Sequence, residues 1–515
     1  MQSNRKYQRQ LFLNIDGIVL LPIFNSLLKN KVLHQIESLN EFSLTKISKN
    51  SNFNNAYMNI ALRPLVSTNF LDIKTIDNKN PLFTIYEIKN NSLQKILSYE
   101  KYIYDINYLI PFYNDFNNTI INDSIFNNFT KVFIRNIENI KKIKEEKDND
   151  IYFYFEGLMI APFFAYLGFY NIISNNKIKC ENKQLNNFIN KILIEFNFTN
   201  HSNEKNKKRD YYFKRLTAFG VTSSYLPMFE KLDQLLFHNS NFIWDRIDGD
   251  EIHVNRKLNI WGSGGAHKIY FDKIDDIIID IFNQEINEQP TGIIDIGCGD
   301  GTFLKHVYEI ITTKTKRKEY LDKFPLKIIG IDINKAARIE TRKQLNKLDI
   351  ENIVINGNIG TPNEISKELQ YNFNEDINSY LCTRTFLDHN RIYSKPKELL
   401  KYSIKTSGAF SYKGQLITTN KLINNQVNHF KKWKNVCNKY GLIVLELHTI
   451  NPLISATNRG KTLSVAYDAT HGFSDQYLIE YEAFKNCAKE AGFKLINSIL
   501  FPDNKKSTIS INYFT

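Results

Sequence analysis

The sequence predicts an α/β fold, with a doubly wound sheet of seven strands preceded by a mainly helical region. Two observations support this prediction. Seven short apolar segments with the character of strands lie between residues 290 and 515, and helical segments separate the early ones. A cluster of glycines directly follows the first of these segments, at the place where doubly wound sheets bind their ligands.

The candidate strands follow one another closely along the chain. They occupy residues 293–296, 326–334, 352–360, 379–389 and 441–449, and a closing pair occupies 494–501 and 507–514. The first strand runs into Asp295, Gly297, Gly299 and Gly301. Glycines remove the Cβ atoms that would keep a ligand off the backbone, and the helix that follows offers unpaired N–H groups. The loop therefore predicts a ligand site, with an ordinary turn as the alternative.

The order of the loop residues separates two kinds of ligand. Dinucleotide-binding folds space their glycines G-x-G-x-x-G, whereas this chain has D-x-G-x-G-x-G. That order resembles motif I of the class I S-adenosylmethionine (SAM) methyltransferases, whose sheet is Rossmann-like. The resemblance implies that Asp332 accepts the ribose hydroxyls of SAM and that Asn358 faces the adenine amine. The predicted SAM-binding residues are Ser263, Gly264, His267, Asp295, Gly297, Cys298, Gly299, Asp332, Ile333, Asn358, Ile359 and Thr383.

Residues 262–267 form a second glycine cluster, G-S-G-G-A-H, ahead of the first strand. Two interpretations are open. The cluster is a flexible hinge between the helical region and the sheet, or it is a loop that folds over the SAM carboxylate or the substrate. In the second case Ser263 or His267 would donate a hydrogen bond.

At 515 residues the chain is too long for a single core. We predict a winged-helix-like unit over 1–90, an exposed helical connector over 91–150, a second winged-helix-like lid unit over 151–250 and a catalytic domain over 251–515. In small-molecule methyltransferases such helical units more often roof the substrate pocket or form a homodimer than contact DNA.

Two apolar segments near the start of these units carry the same pattern. Asp16-Gly17 is followed by Pro22, and Glu156-Gly157 is followed by Pro162, with a constant offset of 140 residues. Each segment is long enough to be taken for a membrane span, but each contains an acidic residue. The repeat predicts two copies of one helical module with buried apolar helices, and no membrane span.

The formal net charge of +13 has a compositional explanation, because lysine, asparagine and isoleucine are common throughout the chain. No compact basic run indicates nucleic-acid binding. A basic surface would suit an acidic partner such as an acyl carrier protein. The five cysteines show no C-x-x-C spacing, which favours a reducing, cytoplasmic location and makes Cys298 a small filler in the glycine loop.

Polar residues cluster where the fourth and fifth strands end. Arg384, Asp388 and His389 follow the fourth strand and His448 ends the fifth. His471 and Gln476 come next, about one and a half helical turns apart. Taken singly, each of these residues is explained as an ordinary polar side chain that forms a hydrogen bond. Together, imidazole and amide ligands suit a first-row metal ion with open positions, and a histidine general base without metal is the rival interpretation.

The runs HVNRKLNIWGSGGAH, DIGCGDGTF, TRTFLDHNR, LELHT and DATHGFSDQYLIE are similar to the metal-dependent C-methyltransferases of apratoxin-type polyketide synthase loading modules, which act on carrier-bound malonyl units. The resemblance implies a mononuclear ion, with iron favoured over manganese or cobalt. It also implies that about three of four side chains bind that ion, and that Asp388 supports them or acts as a base. The candidate ligands are His389, His448, His471 and Gln476, and the candidate catalytic residues are His389, Asp388 and Arg384.

The sequence leaves three candidate functions open. The first is C-methylation of a metal-chelated acyl or keto-acid substrate in secondary metabolism. The second is metal-independent O-methylation of a small molecule, with His389 as the general base. The third is a winged-helix regulator with a vestigial methyltransferase domain, which the intact Asp295, Gly297, Gly299 and Asp332 oppose. The chain has no carrier-protein motif, so a free keto acid is a candidate substrate beside a carrier-bound one.

Overall fold

The computed structural model describes residues 2–77, 79–89, 92–144, 149–199, 206–247, 250–504 and 506–515. Its contacts divide the chain into two compact units. The first unit comprises Met1–Gly265, Ala409–Ile417 and Asn451–Asp475. The second comprises Ala266–Gly408, Thr418–Ile450 and Gln476–Thr515.

Helices predominate in the first half of the chain and alternate with strands in the second. The helices are α1 Gln2–Lys29, α2 Val32–Glu37, α3 Leu44–Ile47, α4 Asn55–Ser67, α5 Ser92–Ser98, α6 Glu100–Asn107, α7 Ile110–Asn114, α8 Phe116–Ile121, α9 Asp123–Lys144, α10 Asn149–Phe169, α11 Lys183–Glu195, α12 Lys207–Phe213, α13 Gly220–Ser223, α14 Leu226–Glu230, α15 Leu232–Phe237, α16 Arg256–Phe282, α17 Thr302–Lys314, α18 Lys335–Asn346, α19 Pro362–Phe373, α20 Thr419–Lys434, α21 Pro452–Ala456, α22 Ser464–Phe473 and α23 Tyr481–Glu490. The strands are β1 Glu41–Phe42, β2 Leu71–Thr75, β3 Ile85–Ile88, β4 Ile173–Ser174, β5 Lys177–Ile178, β6 Arg246–Ile247, β7 Asp250–Glu251, β8 Gly292–Ile296, β9 Lys327–Asp332, β10 Asn352–Asn356, β11 Tyr380–Thr385, β12 Phe410–Tyr412, β13 Gln415–Ile417, β14 Leu442–Leu447, β15 Leu495–Phe501 and β16 Ile509–Phe514.

In the first unit, the two helices that carry the repeated motif, α1 and α10, pack against each other. A Cβ atom on Gly17 would lie 2.1 Å from the carbonyl oxygen of Tyr154, and one on Gly157 would lie 2.1 Å from that of Asn14. Residues 14 and 154, like 17 and 157, are 140 positions apart. The contact is therefore locally symmetric, and the repeat places a glycine on each helix where the two backbones touch.

Both of these helices are long and apolar enough to cross a membrane by length and composition alone. Within the structure, however, 89% and 94% of their apolar windows is buried. The acidic residue on α10 is buried too, where Glu156 accepts a hydrogen bond from Nζ of Lys208 at 2.8 Å. Pairing of this kind removes most of the cost of burying a charge.

Residues 92–144 are helical, as predicted, but the expectation that they are exposed is wrong. Helices α5 to α9 bury one face each in the core of the first unit, with Ile103, Tyr113 and Phe129 among the fully buried side chains. Apolar residues at helical spacing form a stripe along each of these helices, and that stripe requires a partner surface.

The second unit contains the predicted seven-stranded sheet, with the order β10-β9-β8-β11-β14-β16-β15. Strands β10, β9, β8, β11 and β14 are parallel, and β16 is antiparallel to both β14 and β15. The prediction of seven strands with a closing pair is confirmed. The strand order reverses between β8 and β11, and ligands of doubly wound sheets bind outside the carboxyl ends of the strands at such a point.

Candidate active site

The glycine loop joins β8 to α17 at the carboxyl edge of the sheet. Gly297, Gly299 and Gly301 all have positive φ values, of 79°, 56° and 83°, a conformation that other residues adopt at a cost. A Cβ atom at Gly299 would have no neighbour within 4 Å. The loop therefore leaves open space directly beside its backbone, as the resemblance to motif I requires.

Asp295 is the penultimate residue of the buried strand β8 and accepts a hydrogen bond at Oδ1 from Oγ1 of Thr383, on the neighbouring strand, at 2.9 Å. Its Oδ2 atom is buried and has no hydrogen-bond partner among the described residues. Burial raises the pKa of Asp295 to about 7, and nearby Asp332 adds to this effect while Thr383 opposes it. A buried acceptor without a partner fits a ligand that brings a cationic donor, such as the ammonium group of SAM.

Asp332 ends β9 and reaches into the glycine loop. Its Oδ2 accepts the N–H of Gly299 at 3.1 Å, and its Oδ1 accepts the N–H of Asn334 at 2.8 Å. Next to it, the apolar side chain of Ile333 is 61% exposed. A carboxylate beside an exposed apolar group fits a ligand with a ribose and an aromatic base.

Asn358 and Ile359 follow β10 at the same edge. Oδ1 of Asn358 accepts the N–H of Gly360 at 2.8 Å, and the carbonyl of Ile359 accepts a hydrogen bond from Nε1 of Trp433 at 2.9 Å.

Cys298 is buried, and burial raises the pKa of its thiol to about 12. Its thiol is therefore neutral at physiological pH, as expected of a filler.

His389 lies in a short 3-10 turn, Asp388–Asn390, just beyond the end of β11. The carboxylate of Glu446, on the adjacent strand β14, holds it at two points. Oε2 accepts the backbone N–H of His389 at 3.1 Å, and Oε1 lies 2.5 Å from ring Nδ1. Both side chains are buried, so the ring has a fixed orientation and a carboxylate partner, an arrangement found both in general bases and in metal-binding histidines.

Asp388 has different partners from its neighbour. Its Oδ1 lies 2.9 Å from Nη2 of Arg384 and 3.1 Å from Nε2 of His429, and Nη1 of Arg391 donates to its backbone carbonyl at 2.7 Å. Burial acts to raise the pKa of Asp388, but the positive charge of Arg384, with His429 and Arg391, lowers it overall. The predicted catalytic residues Arg384 and Asp388 therefore form a buried ion pair, and Asp388 is the first residue of the turn that carries His389.

The backbone between β11 and that turn is strained. Phe386 has a φ value of 53°, which is an outlier for a bulky residue. The next residue, Leu387, fills the place that a side chain at Gly297 would occupy, since a Cβ there would lie 2.8 Å from Leu387 Cδ2. The strain thus lies between the glycine loop and His389, and functional sites often store backbone strain of this kind.

His448 is fully buried, and both of its ring nitrogens are engaged. Nδ1 lies 3.2 Å from the carbonyl of Ile479 and Nε2 lies 2.7 Å from Oγ of Ser510. Burial lowers the pKa of His448 to about 4, so the ring is neutral. An ion at His448 would have to displace one of these hydrogen bonds, and metal ligation by this residue stays a prediction.

His471 and Gln476 do not share a helix, contrary to the spacing argument. Helix α22 ends at Phe473, and Asp475 turns the chain with a φ value of 56°. His471 belongs to the first unit, where its Nδ1 lies 2.8 Å from the carbonyl of Tyr467. Gln476 begins the next segment of the second unit.

That segment of the second unit runs past His389, because the N–H of Tyr477 donates to the carbonyl of His389 at 2.8 Å. The structure therefore brings Gln476 into the neighbourhood of His389. Within the part of the chain that the structure describes, no group of three or more His, Cys, Asp or Glu side chains has the arrangement of a metal site.

The second glycine cluster is not a loop over SAM or the substrate, and that interpretation is wrong, whereas the boundary between the two units falls at Gly265–Ala266, where the hinge interpretation placed a junction. Residues 256–282 form the single helix α16. A Cβ on Gly262 would lie 2.5 Å from the backbone nitrogen of Val221, and one on Gly265 would lie 2.2 Å from Oγ1 of Thr217. These glycines therefore allow α16 to pack closely in the first unit.

The three predicted SAM-binding residues of this helix fall in different places. Oγ of Ser263 donates to the carbonyl of Ile260 at 3.1 Å, and Gly264 is exposed. The side chain of His267 lies outside the described residues. A SAM-binding role for all three stays a prediction.

Sequence reasoning did not select three residues around His389. Glu446 stands two positions before the chosen His448, and Arg391 two positions after His389, so both were within the highlighted runs. His429 lies on α20, far from any motif, and no local signal identified it.

The pKa of Asp295 predicts how SAM affinity depends on pH. A bound cation favours the ionised carboxylate, so binding to the protonated form first requires loss of a proton. With a pKa of about 7, affinity should rise about tenfold from about pH 6 to about pH 8. Calorimetric titration with SAM across this range checks the expectation. Asp295→Asn, which has no titrating group, should show a flat profile, and a flat profile in the natural protein would contradict it.

Comparisons with known proteins agree with this geometry. The AprA MT2-like domain family matches residues 251–512, just over half of the chain. The AprA N-terminal domain matches residues 7–73, and the AprA winged helix domain matches residues 156–239. A search of curated proteins finds no significant match.

Solved structures show only distant likeness. An O-methyltransferase family 2 protein from Planctomyces limnophilus, in complex with apigenin, has 8% identity and a TM-score of 0.37, over 98% of this chain and 94% of that one. The CMeT domain of the citrinin polyketide synthase has 10% identity and a TM-score of 0.34, over 68% and 86%. A candidate O-methyltransferase from Nostoc punctiforme has 10% identity and a TM-score of 0.30, over 51% of this chain. The match spans only 61% of the length of the Nostoc protein.

The family match assigns the chain to a family, which these distant structures do not. The matched range includes the glycine loop, Asp295, Asp332 and His389. The chain belongs to the AprA MT2-like domain family and is a SAM-dependent methyltransferase.

Proposed function

We propose that the protein transfers the methyl group of SAM to a carbon atom of an activated acyl or keto-acid substrate in secondary metabolism. The substrate class is a malonyl-type thioester, free or bound to a carrier protein, or a 2-oxo acid. The observation that supports this most is the pairing of His389 with Glu446 at the carboxyl edge of the sheet that also bears the glycine loop.

A carbon acid of this type must lose a proton before its carbon can attack the methyl group. Methyl transfer itself mainly needs the carbon, the methyl carbon and the sulfur in line. The groups that the enzyme must supply are therefore a base and a site that holds the substrate. A buried imidazole beside a carboxylate suits the first role, because the carboxylate stabilises the imidazolium that forms. Where no ion is bound to its ring, His389 would take the proton, and Glu446 would stabilise the resulting charge. In the metal-dependent form of the reaction the same ring nitrogen would instead bind the ion.

A bound metal ion is a second part of the proposal, with iron favoured over manganese or cobalt. His389 fits an ion because its Nδ1 already faces a carboxylate, the usual outer partner of a metal-binding histidine. Gln476 fits because its segment runs past His389. When bound, the ion would stabilise negative charge on the substrate oxygens. His448, whose ring nitrogens are both hydrogen-bonded, fits less well.

The partner of the enzyme is also a proposal. An acyl carrier protein with an acidic surface would complement the formal net charge of +13. We place the enzyme in the cytoplasm because the described cysteines are all free. Dimerisation through the helical region is a further proposal, because helical units that precede the sheet of small-molecule methyltransferases often form homodimers.

The second candidate function is metal-independent O-methylation of a small molecule. The same contact favours it, since His389 with Glu446 would serve as general base for a hydroxyl group. A phenol is already acidic and its oxygen is a nucleophile once the proton is lost, so this reaction needs no metal.

One assay separates these functions. The purified chain is incubated with SAM and with malonyl thioesters of coenzyme A, of a short thiol and of a carrier protein. Parallel samples contain a 2-oxo acid or a panel of phenols, and release of S-adenosylhomocysteine is measured before and after exhaustive chelation. The proposal expects turnover with an acyl or keto acid that chelation abolishes and iron restores. Turnover with phenols alone, unaffected by chelation, would establish the second candidate instead.

A further inference from the structure

The first unit contains a positively charged cavity of about 340 Å³. Two arginines and one lysine contribute to its lining, and none of the described residues that line it is acidic. Every lining residue belongs to the first unit, so the cavity is formed without the sheet, the glycine loop or His389. The lining residues are Arg9, Asn69, Ala456, Thr457, Arg459 and Lys461.

Two segments that are far apart in the sequence contribute the arginines. Arg9 lies on α1, and Arg459 lies in the turn that follows α21. In that turn Gly460 has a φ value of 69°, and a Cβ atom on it would lie 2.6 Å from Cγ of Arg9. Glycine therefore allows the turn to pack directly against α1. This close approach places both arginines within reach of one carboxylate.

That carboxylate is Asp150, at the start of α10, and it connects the two arginines. Its Oδ1 lies 2.5 Å from Nη2 of Arg9, and its Oδ2 accepts a hydrogen bond from Nε of Arg459 at 3.0 Å. The carbonyl of Ala456 accepts a further hydrogen bond from Nη1 of Arg459 at 3.1 Å. Because each guanidinium has five N–H donors, most of these donors remain available to a ligand. The side chains of Arg9 and Arg459 are 40% and 34% exposed, so a ligand can reach them.

The cavity has more positive charge than its ion pairs require. One carboxylate balances one guanidinium, so Asp150 accounts for a single arginine. Lys461 is exposed, and within the part of the chain that the structure describes it has no acidic partner at ion-pair distance. Three cations beside one carboxylate leave two positive charges. A purely structural ion pair does not need this excess, whereas an anionic ligand would neutralise it.

We propose that this cavity binds a phosphate group, either as free phosphate or as the phosphate of a nucleotide such as coenzyme A. A phosphate monoester carries about two negative charges near neutral pH, which match the excess at the cavity. The planar fork of arginine binds phosphate oxygens through two parallel hydrogen bonds, and lysine adds a compact charge. The volume lies at the lower end of the range of about 300–1,000 Å³ that small-molecule sites occupy.

Free phosphate and coenzyme A present the same chemistry to the cavity. Coenzyme A is one of the two sources because a free malonyl thioester would carry it, and that source alone rests on the proposed function. Free phosphate requires no methyl transfer and no substrate of the second unit.

Arg459→Gln tests the proposal, because it removes one guanidinium charge from the lining. Lys461→Gln is a second test that stays informative if the first variant folds poorly, since the Lys461 side chain is exposed. Arg135→Gln is the matched control. Arg135 also belongs to the first unit and pairs with one aspartate, its Nη2 lying 3.4 Å from Oδ1 of Asp105, but it does not line the cavity. Calorimetric titrations with inorganic phosphate and with coenzyme A, at about 0.15 M salt to screen distant charges, give the Kd values.

We expect phosphate to bind the natural protein at one saturable site, with a Kd about tenfold higher in Arg459→Gln and Lys461→Gln and within about twofold in Arg135→Gln. Coenzyme A that binds more tightly than phosphate and weakens in the same two variants identifies the nucleotide as the source. Phosphate that binds as tightly as coenzyme A identifies the free ion.

Three results would overturn the proposal. They are the absence of saturable binding of both ligands, unchanged Kd values in Arg459→Gln and Lys461→Gln, and an equal increase in Arg135→Gln. Methyl transfer is not measured in these titrations, so failure of the proposed function would leave their outcome unaffected.

Discussion

His389→Ala is expected to abolish most methyl transfer while leaving SAM binding intact. The side chain lies in the turn beyond β11, where it contacts Glu446 of β14, whereas Asp295 lies on β8 and Asp332 on β9. Loss of a general base lowers rates about 10²- to 10⁴-fold, so kcat should fall within that range with a SAM Kd that changes less than about twofold. Single-turnover transfer and calorimetry measure the two quantities separately.

His238→Ala is a suitable control for this experiment, because His238 is exposed and lies in the first unit. It should retain the natural rate. If His389→Ala kept that rate as well, His389 would be neither base nor ligand, and both proposed functions would lose their catalytic residue.

The second large effect is expected at the glycine loop. Gly299→Ala would place a methyl group in the open space beside the loop, where a Cβ has no protein neighbour within 4 Å. If SAM occupies that space, the methyl group collides with it, and the SAM Kd should increase about 30-fold, which corresponds to about 2 kcal/mol. Calorimetric titration gives the affinity directly.

A matched control exists in the same unit. Gly492 also has positive φ, of 93°, and a Cβ there would also meet nothing within 4 Å. Gly492→Ala therefore imposes a similar backbone cost far along the sequence from the loop. It should lower thermal stability about as much as Gly299→Ala without changing SAM affinity. Equal SAM affinity in the two variants would show that the open space at Gly299 is not the ligand site.

The parts of the fold that local sequence determines were predictable. The sheet strands are short apolar runs, and Gly297, Gly299 and Gly301 stand where the backbone has the positive φ that glycine adopts most readily. The predicted end of a strand at Asp332 is likewise where β9 ends. Each of these features depends on residues that are close in sequence, so the pattern alone identifies it.

Features set by contacts between distant segments were not predictable. The contact of Glu446 with His389 depends on the register of β11 with β14, which one sequence does not reveal. The glycines at 262 and 265 indicated a loop, but they serve close packing of α16 against residues 217–221. In the same way, the end of α22 at Phe473 separates His471 from Gln476, although their spacing fits one helix.

Carbon methylation beside a fixed imidazole is the central claim, and the chemical position of the transferred methyl group tests it most directly. The enzyme is supplied with SAM labelled with ¹³C in its methyl group and with a malonyl thioester, and the product is examined by carbon NMR. We predict a labelled methyl group bonded to the carbon between the two carbonyls. A label on oxygen, or a labelled methyl group that never leaves SAM, would contradict it.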